Sequence, residues 1–248
     1  MPILKSRLVT AGIDGCKSGW IMVKHTGVDY QFGVYPDIRQ LFAENPDIDR
    51  SLIDIPVGLS SQSFNRTIDA SLKKTLGVRH STVFVPPSRE AAYLTDYEAA
   101  KAKNITVTGK SLSIQAFHIS RKIKEVDEYI QKHLNLQIIE SHPEFCFKHL
   151  NGSDTLLSKK KSIQGEFERL SILSKYDERL LLLYEKIRGN TLKKTVTNDD
   201  IIDAMCLCLV NQLAGHKGLQ ILKDENDTDE KGISIGIGFY LPKYINYI

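Results

Sequence analysis

The sequence predicts an α/β fold built on a mixed five-stranded sheet, with three antiparallel strands, two parallel strands and helical insertions. Three observations predict this fold. Short β-branched runs follow one another closely near the N-terminus, two further apolar runs stand alone between helical stretches, and helical periodicity dominates the rest of the chain.

The first three runs, at residues 7–14, 19–25 and 30–35, predict an antiparallel meander. Only four residues separate the first run from the second, and a turn at residues 26–29 separates the second from the third. Connections this short join antiparallel neighbours, because parallel strands need a longer crossover.

A fourth strand, predicted at residues 51–55, is expected to lie parallel to the first. A helix at residues 37–45 connects it to the meander and supplies the crossover. A fifth strand is predicted at residues 136–140 and a terminal strand at residues 233–241. Helices are predicted at residues 63–76, 88–103, 109–133, 144–150, 163–174, 176–187 and 198–213.

The chain shows no internal repeat and no low-complexity linker, which favours a single domain over residues 1–248. Helical insertions are then expected at about residues 60–133 and 144–195. Residues 157–164 are predicted to form a basic loop, and residues 224–231 an acidic, solvated connector.

The composition excludes several classes of protein. The chain is 42% hydrophobic and 25% charged, as globular proteins are, and its net charge of +3 decides nothing about a nucleic-acid partner. Its four cysteines form no CxxC pair, which argues against a structural zinc site and a disulfide framework. No run reaches the ~20 apolar residues of a spanning helix, and residues 1–5 lack secretory-signal features, so we expect a cytoplasmic protein without membrane contact.

Carboxylates inside apolar segments are the most informative residues of the sequence. Asp14 ends the first predicted strand beside Gly15, and Asp54 lies between Ile53 and Ile55. A lone ionised carboxylate in such a place costs several kcal/mol unless it is paired, hydrogen-bonded or metal-bound. A turn-forming role is an alternative for Asp14, whereas no turn geometry requires the side chain of Asp54.

Two further acids, Asp200 and Asp203, open a helix that then becomes apolar around its whole circumference. Asp200 stands where a capping-box acid would be, with Thr197 as N-cap, but Asp203 has no such explanation. Residues three apart share a helix face, so the two carboxylates are placed to clamp a divalent cation.

The turn that follows the strand at residues 136–140 carries three more candidates. Glu140 ends this strand, and His142 and Glu144 come directly after it. Glu144 has a simpler interpretation as the first-turn acid of the next helix, beside Pro143. His142 has two interpretations, as a group that transfers a proton or orients water, or as a cap of the following turn.

Together these acids predict a site for hard cations. Oxygen ligands without cysteine or paired histidine indicate Mg²⁺ or Mn²⁺, and two such ions about 4 Å apart suit the in-line hydrolysis of a phosphodiester. The predicted metal ligands, which with His142 make up the predicted catalytic set, are Asp14, Asp54, Glu140, Asp200 and Asp203.

Six ordered blocks of sequence resemble one protein family. They are residues 12–20 (GIDGCKSGW), 53–59 (IDIPVGL), 76–77 with 81–84 (LG and STVF), 140–144 (ESHPE), 158–160 (SKK) and 199–204 (DDIIDA). The order is similar to that of the domain-of-unknown-function 429 family, described as predicted nucleases with a ribonuclease H-like (RNase H-like) fold. The resemblance covers residues 10–210, and it implies that fold and a nuclease activity.

A more distant similarity links the chain to Holliday-junction resolvases, whose acids come from the first strand, the fourth strand and a late helix. Carried over by matching motif, this similarity implies catalytic roles for Asp14, Asp54, Asp200 and Asp203. Glu140 belongs to the motif of the 429 family and has no clear counterpart in the resolvases.

Basic side chains are candidates for contact with substrate phosphate. A lysine run is usually a solvated loop, and this alternative stays open. The predicted phosphate-binding residues are Lys159 and Lys160, with Lys161 beside them, and Arg66, Arg79 and Lys110. The sequence thus favours a Mg²⁺- or Mn²⁺-dependent nuclease whose partner is DNA or RNA.

Two other functions stay open at this level. The Asp-Gly-x-x-x-Gly turn at residues 14–19 also resembles the first phosphate hairpin of sugar kinases and actin-like ATPases, which share the core fold. Those proteins need a second phosphate loop and a glycine-rich adenosine loop, and neither is evident. The other alternative is a module that binds metal or nucleic acid without cleaving it.

Overall fold

The computed structural model describes residues 7–242 and shows an α/β fold over that range. Its strands are β1 (Thr10–Cys16), β2 (Gly19–His25), β3 (Tyr30–Tyr35), β4 (Arg50–Ile53), β5 (Gln137–Glu140), β6 (Leu219–Thr228) and β7 (Ser234–Tyr240). Its helices are α1 (Ile38–Glu44), α2 (Ile68–Leu76), α3 (Arg89–Ala92), α4 (Tyr97–Thr108), α5 (Ile114–Lys132), α6 (Pro143–Leu150), α7 (Ile163–Tyr176), α8 (Arg179–Asn190) and α9 (Asn198–Ala214). Residues 1–6, in which we predicted no secretory signal, lie outside the described range.

The predicted mixed sheet is confirmed, with the strand order β3-β2-β1-β4-β5. Strand β1 pairs antiparallel with β2 and parallel with β4, and β2 pairs antiparallel with β3. The bounds of β2 and β3 are those predicted, whereas β1 begins and ends later than predicted and β4 ends before Asp54. The arrangement is consistent with an RNase H-like fold, and β6 and β7 form a separate two-stranded sheet.

Helix α9 is the central helix, as its apolar sequence predicts. All residues from Ile201 to Asn211 are buried, which a helix achieves only when neighbours cover it on every side. It lies directly on β1 at Gly12, where an added Cβ would stand 2.1 Å from the backbone nitrogen of Cys208 and 2.3 Å from the carbonyl oxygen of Ala204. The absence of a side chain at Gly12 therefore sets how closely helix and strand approach.

The helical insertions differ from prediction at their boundaries. The helix predicted at residues 88–103 is two helices, α3 and α4, because the Asp96 side chain accepts a hydrogen bond from Ala99 N at 2.8 Å and starts a new helix. The helix predicted from residue 109 begins at Ile114, where Ser113 is the N-cap, and α2 begins only at Ile68. Capping side chains, which compete with helical continuation, account for the first two changes.

The acidic connector predicted at residues 224–231 is largely strand, and most of its residues are exposed as predicted, but two of its acids are not. Asp224 and Asp229 are buried. Asp224 accepts hydrogen bonds from the backbone nitrogens of Thr67 and Ile68, both at 2.7 Å, and so caps the start of α2. Asp229 accepts from Arg89 Nη2 and from Leu59 N. Acids bonded in this way can be buried without a large desolvation penalty.

The described chain forms two compact units. One comprises residues 7–54, 141–220 and 239–242, and contains β1–β4, α1 and α6–α9. The other comprises residues 55–140 and 221–238, and contains α2–α5 and most of the two-stranded sheet. The assignment of residues 1–248 to one domain stays a prediction. Across the described residues, no helix combines the length and the apolar character needed to cross a membrane.

A candidate metal centre

Three carboxylates meet in the first unit, from three separate elements. Asp14 is in β1, Asp54 directly follows β4, and Asp203 is in the second turn of α9. Strands β1 and β4 run parallel with Ile13 opposite Ile53, and Asp54 N donates to the Ile13 carbonyl at 2.9 Å. The next residue of each strand therefore lies beside the other, and α9 adds Asp203 from above the sheet.

The three side chains are close enough to share one cation. One carboxylate oxygen from each lies within 4.8 Å of those of the other two. Asp14 and Asp203 are only 8% and 4% exposed, and Asp54 is half-buried. Carboxylate oxygens in this number and spacing are the ligands that Mg²⁺ and Mn²⁺ prefer.

The electrostatics of the cluster are unfavourable without a cation. Burial raises the pKa of Asp14 well above its ordinary value, and the negative charges of Asp54 and Asp203 raise it further. Burial also raises the pKa of Asp203, although Lys160 opposes this rise. Both directions correspond to an ionised carboxylate that is disfavoured in the folded protein, and the charge of a divalent cation would offset the burial and the like-charge repulsion.

The described residues satisfy only one of the two carboxylate oxygens of Asp203. Its Oδ2 accepts a hydrogen bond from Lys160 Nζ at 2.6 Å. Its Oδ1 is buried and has no hydrogen-bond partner within residues 7–242. An unsatisfied buried polar atom costs about 1–3 kcal/mol, and more when it is charged. This oxygen, in a cluster of hard anionic ligands, fits the binding of a divalent metal ion.

Lys160 supplies a positive charge beside the three acids. Its Nζ is also 3.9 Å from Glu144 Oε1, and its side chain is 23% exposed. Although burial alone lowers the pKa of Lys160, the carboxylates of Asp203 and Asp54 raise it above its ordinary value. The side chain is therefore an ammonium ion at neutral pH.

The loop that carries Lys160 is held against the start of α7. The Lys159 carbonyl accepts hydrogen bonds from the Ser162 backbone at 3.0 Å and the Ser162 hydroxyl at 2.7 Å. Gly165 lets that carbonyl approach the helix, because a Cβ at Gly165 would stand 2.0 Å from it. The position of the ammonium group is thus fixed by backbone contacts on one side and by Asp203 on the other.

Glu144 and Arg169 form a buried ion pair next to Lys160. Arg169 Nη2 donates to Glu144 Oε1 at 2.6 Å, its Nε at 3.2 Å, and its Nη1 to the Gly165 carbonyl at 3.0 Å. At the sequence level Glu144 was both a site candidate and a possible first-turn acid of the next helix, and Arg169 was not among the predicted residues. The signal for Arg169 is its position on the apolar face of α7 with Ile172 and Leu173, where an arginine needs a carboxylate partner.

Asp200 does not belong to the group of three. It completes the capping box of α9, because Asp200 Oδ2 accepts from Thr197 N at 2.8 Å while the Thr197 hydroxyl faces Asp200 N at 3.5 Å. Of the two interpretations open at the sequence level, the geometry favours the cap. Asp200 still acts on the site at longer range, since its charge contributes to the raised pKa of Asp14.

Glu140 and Arg66, predicted as a metal ligand and a phosphate-binding residue, bind each other in the second unit. Glu140 Oε1 accepts from Arg66 Nη2 at 2.7 Å, and its Oε2 accepts from Arg66 Nη1 and from Val57 N, both at 2.8 Å. Arg66 also donates to both oxygens of Asp69. Because these hydrogen bonds use both carboxylate oxygens and the buried guanidinium, the structure corrects both roles to structural ones.

The remaining predicted residues have different settings. His142 is the N-cap of α6, with Nδ1 3.4 Å from Phe145 N, which corresponds to the capping interpretation. Lys159 is exposed on the loop of Lys160, Lys110 is exposed after α4, and Arg79 is half-buried in the 3₁₀ turn that follows α2. Their contact with substrate stays a prediction.

Comparison with known proteins places the chain in a family. A family model described as protein of unknown function (DUF429) matches residues 12–227, which is most of the chain. The chain belongs to the DUF429 family. Searches of curated proteins and of solved structures returned no match to this DUF429 protein. The predicted family is therefore confirmed, and its nuclease activity stays a proposal.

Proposed function

We propose that this DUF429 protein is a Mg²⁺- or Mn²⁺-dependent nuclease that hydrolyses phosphodiester bonds in DNA or RNA. The observation that carries the proposal is the meeting of Asp14, Asp54 and Asp203 within 4.8 Å, with a buried oxygen of Asp203 unsatisfied within the described residues. A purely structural cluster would be expected to pair each buried carboxylate with hydrogen-bond donors or basic groups.

The source of the ligands also supports the proposal. Asp14, Asp54 and Asp203 come from the first strand, the end of the fourth strand and a late helix of a sheet consistent with the RNase H-like fold. This is the order of acids that the distant resemblance to Holliday-junction resolvases implies. Because a fold alone does not establish a reaction, the three carboxylates support the proposal more strongly than the sheet does.

The three carboxylates would hold the cation, and their burial would keep them rigid. A metal ion bound there supplies a Lewis acid for phosphate oxygen and an acidified water molecule. The Asp14 carboxylate is oriented by a hydrogen bond from Gly15 N to its Oδ1 at 2.6 Å. Asp54, the least buried of the three, is the ligand nearest to solvent and so to an incoming phosphate.

Basic groups on one loop would neutralise the phosphate. Lys160 is held beside Asp203, and Lys159 and Lys161 are exposed on either side of it. Phosphate contacts of this kind position a nucleic acid without reading its sequence. The proposal accordingly assigns phosphate binding to this loop and makes no assignment of base specificity.

The decisive experiment compares cleavage by wild type, Asp14→Asn and Asp154→Asn. Labelled single-stranded, double-stranded, RNA–DNA hybrid and branched substrates are incubated with each protein in Mn²⁺ and in Mg²⁺. Asp154 is an exposed acid outside the cluster, so Asp154→Asn is the matched control. We expect cleavage by wild type and the control, and a fall of about 100-fold or more in Asp14→Asn, because a metal ligand is lost.

Cleavage that survives in Asp14→Asn at the wild-type rate would remove this cluster from the reaction. If wild type binds Mn²⁺ but cleaves none of the four substrates, the nuclease assignment fails and the non-catalytic metal-binding module takes its place.

A further inference from the structure

The two oxygens of the Asp203 carboxylate face different surroundings. Oδ2 is bonded to the Lys160 ammonium at 2.6 Å, whereas the buried Oδ1 lacks a hydrogen-bond partner in the part of the chain that the structure describes. In a site with two metal ions, one carboxylate commonly bridges both ions through its two oxygens. The Asp203 carboxylate resembles such a bridging ligand, because the Lys160 ammonium already lies at one of its two oxygens.

We infer that the Lys160 ammonium occupies the second cation position of this site, so that the protein binds one divalent ion and not two. The inference rests on the proposed metal centre and refines it. It replaces the two-ion arrangement predicted from the sequence with one metal ion and one lysine.

The charges support a single ion. Asp14, Asp54 and Asp203 carry three negative charges when ionised, and Lys160 carries one positive charge, which leaves two negative charges for one divalent cation to balance. A second divalent ion would leave the cluster with a net positive charge of two. In a poorly hydrated site such an excess of like charge is costly.

The position of Lys160 is next to two carboxylate oxygens, one on Asp203 and one on Glu144, which also accepts from Arg169. Its Nζ lies between Asp203 Oδ2, at 2.6 Å, and Glu144 Oε1, at 3.9 Å. Arg169 holds Glu144 in place through hydrogen bonds of 2.6 and 3.2 Å to the same oxygen. If the ammonium group is removed, two fixed carboxylate oxygens remain around the vacated space, with Asp203 shared between the two positions.

The test is the number of Mn²⁺ ions bound by wild type, Lys160→Met, Lys159→Met and Lys161→Met. Methionine keeps a long, flexible side chain and removes the charge, and the two flanking lysines are exposed, which makes them matched controls. Isothermal titration to millimolar Mn²⁺ gives the stoichiometry. Electron paramagnetic resonance of the bound Mn²⁺ gives independent evidence, because two neighbouring ions broaden each other's spectrum by spin coupling.

We expect one bound Mn²⁺ in wild type and in both controls, and two spin-coupled ions in Lys160→Met. Two ions in wild type, or a single ion in a folded Lys160→Met protein, would overturn the inference. Lys160→Gln serves as a second neutral variant if Lys160→Met does not fold, as judged by circular dichroism. Wild type that binds no Mn²⁺ would instead refute the proposed metal centre itself, so the two failures are distinguishable.

Discussion

At the scale of single residues, the hydrogen bonds of each buried acid separate structural acids from candidate ligands. Glu140 has both oxygens bonded to Arg66, and Glu144 is paired with Arg169. Asp203 has one oxygen bonded to Lys160 and one without a partner within the described residues. Since an unsatisfied buried oxygen costs about 1–3 kcal/mol, this is the acid at which a ligand would restore the most stability.

Asp200 allows capping to be tested separately from metal binding. We expect Asp200→Asn to change the free energy of unfolding by less than about 1 kcal/mol, because loss of the favourable charge at the start of α9 is opposed by removal of a partly buried charge, whose pKa burial raises, while a side-chain oxygen can still accept from Thr197 N. The Mn²⁺ dissociation constant should change by less than about threefold, since Asp200 acts only through its distant charge. Chemical denaturation and isothermal titration measure the two quantities.

Asp203→Asn is the comparison for Asp200→Asn, and we expect it to abolish Mn²⁺ binding under the same conditions. If Asp200→Asn also abolishes Mn²⁺ binding, Asp200 is a ligand after all and its capping role is secondary.

The sequence identified the buried acids but not their partners. Asp14, Asp54 and Asp203 could be predicted because each stands in an apolar segment, although a turn-forming role was also open for Asp14. Glu140 looked equivalent, but its partner Arg66 is 74 residues away in sequence. Which basic residue reaches which acid is set by tertiary structure, and a local pattern contains no information about it.

At the scale of elements, the contact of α9 with β1 determines whether Asp203 can reach the strand-borne acids. Gly12 lies two residues before Asp14, and its missing side chain lets the α9 backbone approach near Ala204 and Cys208. The missing side chain of Gly12 therefore helps to set the distance between Asp14 and the Asp203 carboxylate. A change in the spacing between helix and strand would move Asp203 away from Asp14 and Asp54.

Gly12→Ala tests this dependence. An added Cβ would stand 2.1 Å from Cys208 N and 2.3 Å from the Ala204 carbonyl, and both atoms are backbone that cannot rotate away. We expect a loss of about 3 kcal/mol or more in the free energy of unfolding, because overpacking against backbone is costly. In the protein that remains folded, Mn²⁺ affinity should fall as Asp203 is displaced.

Gly189→Ala is the matched control, since Gly189 lies in α8 with no atom within 4 Å of an added Cβ. It should be neutral or slightly stabilising, by up to about 1 kcal/mol, because alanine favours a helix more than glycine. A Gly12→Ala protein as stable as wild type would show that the close approach is not required.

Elements with local determinants were predicted better than those without. The bounds of β2 and β3 follow from short turns and alternating residues, and the predictions were correct to the residue. The acidic segment that contains Asp224 and Asp229 was predicted as solvated, because acids usually face water. In the structure Asp224 accepts from Thr67 and Asp229 from Arg89, which are about 140–160 residues away in sequence. The local sequence of the segment cannot predict contacts with such distant residues.

At the scale of the whole molecule, the site depends on folding of the first unit. Its residues come from two stretches of that unit: Asp14 and Asp54 from residues 7–54, and Glu144, Lys160 and Asp203 from residues 141–220. The unfolded chain does not hold these carboxylates together, so metal binds the folded state preferentially. By mass action, a metal concentration of about 100 times the dissociation constant adds about 2.7 kcal/mol to the free energy of unfolding.

The stabilisation of the folded protein by bound metal should increase with pH. Because burial raises the pKa values of Asp14 and Asp203, their contribution to stability without metal is present at low pH and is lost as pH rises through the folded-state pKa values. Metal requires the deprotonated ligands, so its binding strengthens over the same range. His149 changes stability with pH in the opposite direction, because burial lowers the pKa of its imidazole to about 4. Wild type and variant, which both contain His149, are therefore compared at the same pH.

We expect Mn²⁺ at about 100 times its dissociation constant to raise the melting temperature by about 5–10 °C at pH 8. The rise should be clearly smaller at pH 5.5, and it should be absent in Asp14→Asn at both pH values, since metal binding needs the ionised ligand.

Without metal, Asp14→Asn should be more stable than wild type at pH 8, because the variant has no charge to repel Asp54 and Asp203. Asp154→Asn should behave as wild type throughout. A rise that is equal at the two pH values, or that persists in Asp14→Asn, would mean that Mn²⁺ binds elsewhere on the protein, because carboxylates with ordinary pKa values are already ionised at pH 5.5.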